Sequence, residues 1–322
     1  MGAVALLLLI AAAPAWAHAP DAAGVHDVLR HFTFDPWVIA PLTVALALYA
    51  AGVTRLWRHA GVGRGISRMQ AACFAAGWLS LVAALVSPLD ALGSKLFSAH
   101  MVQHEALMLV SAPLMVLARP LAAWTWAFGP ARRHAIGHAV QARAWAAVWG
   151  TLTDPLAAWA LHALALWAWH VPSFFEAALN SEVVHACQHA CFLGTALLFW
   201  WAVLGRDGRV AKGAGAAMAY LFTTMLHTGA LGALLTLAPT PWYPHYAQTA
   251  MAFGLDPLED QQLGGLVMWV PGGAAYLAAA LVIMARLLAA PAPQRQRANQ
   301  LCSPELVPPG TEPRAGRYSQ PT

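Results

Sequence analysis

From residue 36 to residue 285 the sequence falls into seven long apolar stretches: 36–54, 69–89, 97–118, 155–174, 183–204, 214–237 and 262–285. Between them lie Pro, Gly and most of the charges. About 20 apolar residues in a helix cross the hydrocarbon core of a bilayer, and backbone in lipid must satisfy its own hydrogen bonds. The pattern therefore predicts an all-α, polytopic integral membrane helix bundle with seven transmembrane helices. Only 10% of the residues are charged, against about 25% in a soluble domain.

The residues before and after this region read differently. Residues 1–17, ending in Ala15-Trp16-Ala17, combine an apolar core with a small-x-small site and predict a secretory signal sequence. No Lys or Arg precedes that core, so an uncleaved leader or an extra first span is the alternative. Residues 18–34 are an outer N-terminal segment, 35–289 the seven-helix membrane domain, and 290–322 a Pro-rich polar tail that predicts cytoplasmic disorder.

Charge sets the orientation. Arg55, Arg58, Arg64 and Arg68 lie between spans one and two, Arg119, Arg132, Arg133 and Arg143 between three and four, and Arg206, Arg209 and Lys212 between five and six. The alternate segments hold only Arg30 and Lys95 but most of the acids. Lys and Arg mark the inner side, so the N-terminus is expected outside and the C-terminus inside. The net charge of +4 then describes loops facing anionic lipid and not a nucleic-acid surface. Residues 120–150, with Trp124, Trp126, Trp145 and Trp149, predict a helix lying at the inner interface. No outer loop holds a pair of the four Cys, and the chain has no Gly-rich phosphate loop in context, no nucleophile elbow and no acid/base pair in a pocket. No catalytic residue is assigned, and the chain is not expected to be an enzyme.

With this orientation the histidines concentrate near the outer face. His100 and His104 open span three, His170 closes span four, and His185 and His189 open span five. Each i, i+4 pair puts two imidazoles on one helix face. Neutral imidazole ligates copper, zinc and iron, and thioether favours Cu(I). Ionisable groups inside a membrane are costly and tend to mark function. The five histidines are the primary metal-site candidates. Weaker candidates are His227 in span six, His245 in the last outer loop, Met108 and Glu105. On a helical wheel His100, His104, Met108 and Met115 share one stripe, with Met101 at its edge. Glu105 lies about 100° from His104 and has three readings: orienting a ligand, carrying protons, or facing another helix. Cys187 and Cys191 point away from His185 and His189. In the acidic run at 256–262, Asp256, Glu259, Asp260, Gln261 and Gln262 either collect cations at the outer mouth or simply start a solvated helix. Gly264 and Gly265 predict a close helix approach.

Three segments carry a family resemblance. "SPLDALGSKLFSAHMVQHEALMLVSAPLMVLARP", "WHVPSFFEAALNSEVVHACQHACFLGTALLFWW" and "LDPLEDQQLGGLVMWVPGG" resemble the CtaG-type membrane proteins, the caa3-type cytochrome c oxidase assembly factors, over about residues 35 to 287. The resemblance implies a role in maturing cytochrome c oxidase by helping copper reach its subunits, with a periplasmic copper donor as a further partner. The matching histidines are His100, His104, His170, His185 and His189; Glu105 stands where an aliphatic residue is usual. The other readings are a haem-binding membrane protein (an electron carrier or haem-handling factor) and a copper- or proton-conducting transporter.

Overall fold

The computed structural model describes residue 28 and residues 30–205 and 213–289. The expected signal sequence, the polar tail, most of the outer N-terminal segment, and Arg206, Arg209 and Lys212 lie outside the described residues. Those described are helical and contain no strand. In chain order the helices are α1 (Pro36–Ala60), α2 (Arg68–Leu85), α3 (Pro88–Gly93), α4 (Phe97–Ala118), α5 (Pro120–Trp126), α6 (Pro130–Gln141) and α7 (Arg143–Leu152). There follow α8 (Pro155–Trp169), α9 (Pro172–Leu179), α10 (Glu182–Leu204), α11 (Ala214–Thr236), α12 (Tyr246–Thr249) and α13 (Pro257–Ala289).

Six of these helices, α1, α2, α4, α10, α11 and α13, are long and apolar enough to cross a membrane. The expected fourth span appears as the 15-residue α8, about 22 Å at 1.5 Å per residue. Both of its ends have a local cause. Asp154 caps the first turn by accepting the Leu156 and Ala157 N–H groups, with Pro155 at the tolerated first position. At the other end Pro172 disfavours helical backbone at Val171, and the chain turns into α9. The interfacial region is likewise three short helices, α5, α6 and α7, in place of one: Pro120 and Pro130 each start a new helix, and Ala142 takes an extended conformation between α6 and α7.

The sequence of α2 shows how local chemistry starts a helix. Ser67 accepts the Gln70 N–H, and Gln70 in return accepts the Ser67 N–H, a capping box that satisfies two of the donors a helix start leaves unpaired. Along α2, Phe74 stacks on Tyr49 of α1 at 3.6 Å, and the Tyr49 hydroxyl donates to the Ala118 carbonyl at the end of α4.

Glycines set the spacing of α11 and α13, which pack along much of their length. A Cβ on Gly265 would stand 2.6 Å from the Thr236 nitrogen, and one on Gly232 2.8 Å from the Trp269 nitrogen. The predicted close approach at Gly264 and Gly265 is thus present, with Gly264 pressed on Phe97 of α4.

The central helix α4 is not a uniform α-helix. From Ala106 to Ser111 it is a π-helix, which changes hydrogen-bond register and frees backbone groups. The Met108 carbonyl accepts the Trp200 indole N–H at 2.8 Å, which satisfies it where no water is available. The change of register also rotates everything that follows. Met108 enters the apolar cluster around Phe192 and Phe199, whereas Met115 joins the opposite cluster with Tyr49 and Phe74. The single stripe expected from unbroken α-geometry is therefore split.

Candidate metal centre

The His100/His104 turn of α4 faces the His185/His189 turn of α10, and His170 closes the gap from the end of α8. Ring centroids lie 4.2 Å apart for His100–His104 and for His185–His189. Across the helices they are 5.4 Å for His100–His185, 5.3 Å for His104–His189 and 6.5 Å for His104–His170. One donor atom each from His100, His185 and His189 lies within 4.8 Å of the other two. All five primary histidines thus occupy one cluster.

Their hydrogen bonding is incomplete. Both ring nitrogens of His100 and of His104, and Nε2 of His170, His185 and His189, are buried without a partner. Buried polar atoms are nearly always paired, so seven unpartnered nitrogens in one cluster leave lone pairs available to a ligand. His170 shows how such a lone pair is oriented. Its Nδ1 lies 2.7 Å from the Leu166 carbonyl, which only accepts; the neutral ring therefore keeps its proton on Nδ1 and presents a lone pair at Nε2. That is the arrangement by which a backbone group orients a metal-ligating imidazole. Donor atoms at 2.0–2.1 Å from one metal stand about 3.3 Å apart in a tetrahedral site, so the 4.8 Å set is looser than the ligand shell of a bound ion.

Aromatic walls surround the cluster. Phe175 of α9 lies 5.0 Å from His100 and 6.2 Å from His170, and Phe192 lies 4.5 Å from His104. Tyr243, in the loop before α12, packs on Phe97 and Phe175 and donates its hydroxyl to the His170 carbonyl at 2.9 Å. The loop therefore seats the helix end that carries His170.

The weaker candidates lie elsewhere. His245 donates Nε2 to the Ser94 carbonyl at 3.1 Å and its backbone N–H to Glu176, which makes it part of the end cap. His227 packs edge-on against Trp159 of α8 at 5.4 Å. Met108 lies in the apolar cluster described above. Glu105 faces another helix: its Oε2 would lie 3.1 Å from a Cβ on Gly272 of α13, and that oxygen is buried without a hydrogen-bond partner. Cys187 and Cys191 are exposed on the far side of α10.

In the acidic run 256–262, Asp256 and Glu259 are exposed at the start of α13, as a solvated helix start would have them, whereas Asp260 serves another helix. Asp260 is fully buried; its carboxylate accepts the Phe97 N–H at 2.6 Å, the Ser98 N–H at 3.1 Å and the Ser98 hydroxyl. From α13 it caps the start of α4, in place of a side chain at the N-cap residue Leu96. Gln261 accepts the Trp242 N–H, Gln262 donates to the Ala238 carbonyl, and Asp256 caps its own helix at Leu258. Two further polar residues went unremarked in the sequence. Gln103, buried, donates to the Ala84 carbonyl at 2.8 Å and to Asp90 at 2.7 Å. Gln188 is fully buried between His185 and His189 with both side-chain polar atoms unpartnered. Their spacing was a signal: Gln103 precedes His104 and Gln188 precedes His189.

The chain is similar to the uncharacterized proteins Mb0105 of Mycobacterium bovis and MT0111 of Mycobacterium tuberculosis, each 28% identical over 262 residues. ML1998 of Mycobacterium leprae, also uncharacterized, is 27% identical over 254 residues. These alignments cover 78%, 78% and 76% of this chain but only 38% of each relative, so the chain spans less than half the length of the curated relatives it matches. No solved structure matches it. The family model for the cytochrome c oxidase caa3 assembly factor (Caa3_CtaG) matches residues 47–290, and the chain belongs to that family.

Proposed function

We propose that this protein is a seven-span factor that binds copper with His100, His104, His170, His185 and His189 near the outer face of a bacterial plasma membrane and delivers it to a nascent cytochrome c oxidase subunit. The observation that carries the reading is the convergence of three donor atoms within 4.8 Å, in a cluster where seven of the ten ring nitrogens are buried without a partner. Imidazole suits copper, and the aromatic walls keep water from the cluster. Delivery requires ligands that exchange, which a set of neutral imidazoles provides more readily than a thiolate cage. Membership of an oxidase assembly family supports the recipient, and a periplasmic donor would load the site.

α8 is the seventh crossing: with the six long helices alone the two termini would lie on one side, against the alternation of basic residues. Basic residues on alternate connections support an outside N-terminus and an inside C-terminus, which puts the histidine cluster at the periplasmic side. Binding haem with two axial histidines requires a macrocycle between facing rings, whereas these rings meet one another directly.

The test is metal analysis and absorption spectroscopy of the protein purified in detergent. Bound copper that is lost in His100→Ala and His185→Ala variants, with assembled oxidase reduced in cells carrying them, is the expected result. A Soret band that follows the same histidines would replace copper with haem. If no metal follows them, the cluster has only a structural role.

A further inference from the structure

A second imidazole pair lies on α6, beyond the opposite end of α4 from the five-histidine cluster. His134 and His138 are spaced i, i+4 and exposed. Their Nε2 atoms face each other at 2.9 Å, with the rings nearly perpendicular at 4.5 Å between centroids. Two nitrogens bound at 2.0–2.1 Å to one metal ion with an angle near 90° stand about 2.9 Å apart. The pair already has the bite of a chelate, and both rings belong to one helix face.

The surroundings decide which ions it suits. The pair borders an open cavity lined by Pro130, Arg133, His134, Gly137, His138 and Gln141. Gly137 adds no side chain between the rings, and a Cβ there would meet nothing within 4 Å. The Arg133 guanidinium lies 3.9 Å over the Trp126 ring, which anchors the start of α6 and holds that charge on the aromatic face. No carboxylate occurs from residue 130 to residue 152. Hard cations such as magnesium and calcium need oxygen ligands, so the site discriminates against them. Two imidazoles in a cavity also lined by Gln141 suit a borderline divalent ion instead.

We propose that His134 and His138 form a second, water-accessible metal site that takes a borderline divalent cation of the copper(II) or zinc(II) class. It is separate from the five-histidine cluster in position and exposure, and either can fail without the other.

The experiment uses the full chain in detergent, carrying His100→Ala and His185→Ala, titrated with Cu²⁺ and followed by electron paramagnetic resonance. The expected result is Cu²⁺ with nitrogen hyperfine structure. Adding either His134→Ala or His138→Ala should weaken its binding by about a hundredfold, the gain from joining two binding groups on one scaffold. The same two substitutions in the otherwise native chain serve as the second measurement: they should remove the exposed Cu²⁺ signal and leave copper lost through His100→Ala unaffected. Cu²⁺ binding that is unchanged without His134 and His138, or no Cu²⁺ bound when they are the available pair, overturns the proposal.

Discussion

Asp260 illustrates how one residue serves a different element from the one it belongs to. A helix start leaves its first N–H groups unpaired, and α4 begins at Phe97 after Leu96, whose side chain cannot cap. The carboxylate of Asp260 supplies the acceptors from 163 positions away. Because Phe97 begins the helix that carries His100 and His104, the cap fixes the entry of the site helix. Asp260→Ala leaves buried N–H groups unpaired, each costing about 1–3 kcal/mol. The variant should lose thermal stability in detergent, as read by circular dichroism against temperature. An unchanged melting temperature would show that the cap is dispensable. The charge of Asp260 was visible in the sequence, but its partner was not: acids in a first helical turn ordinarily serve their own helix.

At the scale of elements, the bundle depends on the closeness of its helices. Small residues let membrane helices approach until their backbones touch, and the α11–α13 contact at Gly232 and Gly265 is of this kind. Gly265→Ala places a methyl group 2.6 Å from the Thr236 nitrogen and 2.8 Å from the Gly232 carbonyl oxygen, both backbone atoms that cannot turn aside. Overpacking of this kind typically costs about 1–3 kcal/mol. The expected outcome is a lower midpoint in thermal unfolding, with Gly215→Ala, where a Cβ meets nothing within 4 Å, as the neutral control. The π-helical turn of α4 acts at the same scale. It follows directly after the His100/His104 pair, so those two histidines face α10 while Met115 turns to the α1–α2 side.

Across the whole molecule, charge and chemistry lie at opposite ends of α4. The five histidines gather at one end of the bundle. Arg119, Arg132, Arg133 and Arg143 belong to the segment that follows the far end of α4, and His134 and His138 lie among them. With all native Cys replaced by Ala, a cysteine at the exposed position Glu259 should react with a membrane-impermeant thiol reagent in intact cells. One at the exposed position Arg132 should react only after permeabilisation. The reverse pattern would invert the topology and move the histidine cluster to the cytoplasmic side.

Much of this arrangement was written in the order of residues. Hydropathy marked the six long helices, the i, i+4 spacing paired His100 with His104 and His185 with His189, and Gly264 and Gly265 announced a close contact. These are properties of a single helix, set by its pitch and by the solvent around it, so neighbouring residues suffice to specify them. Tertiary structure decided the remainder: that the two histidine pairs face each other, that His170 joins them from a shortened helix, that Glu105 meets Gly272, and that Asp260 caps α4. Apart from the length of α8, which Asp154 and Pro172 set locally, each depends on how one helix is rotated against another. That rotation follows from packing and from the π-helical turn, and neither is encoded in the periodicity of any one segment.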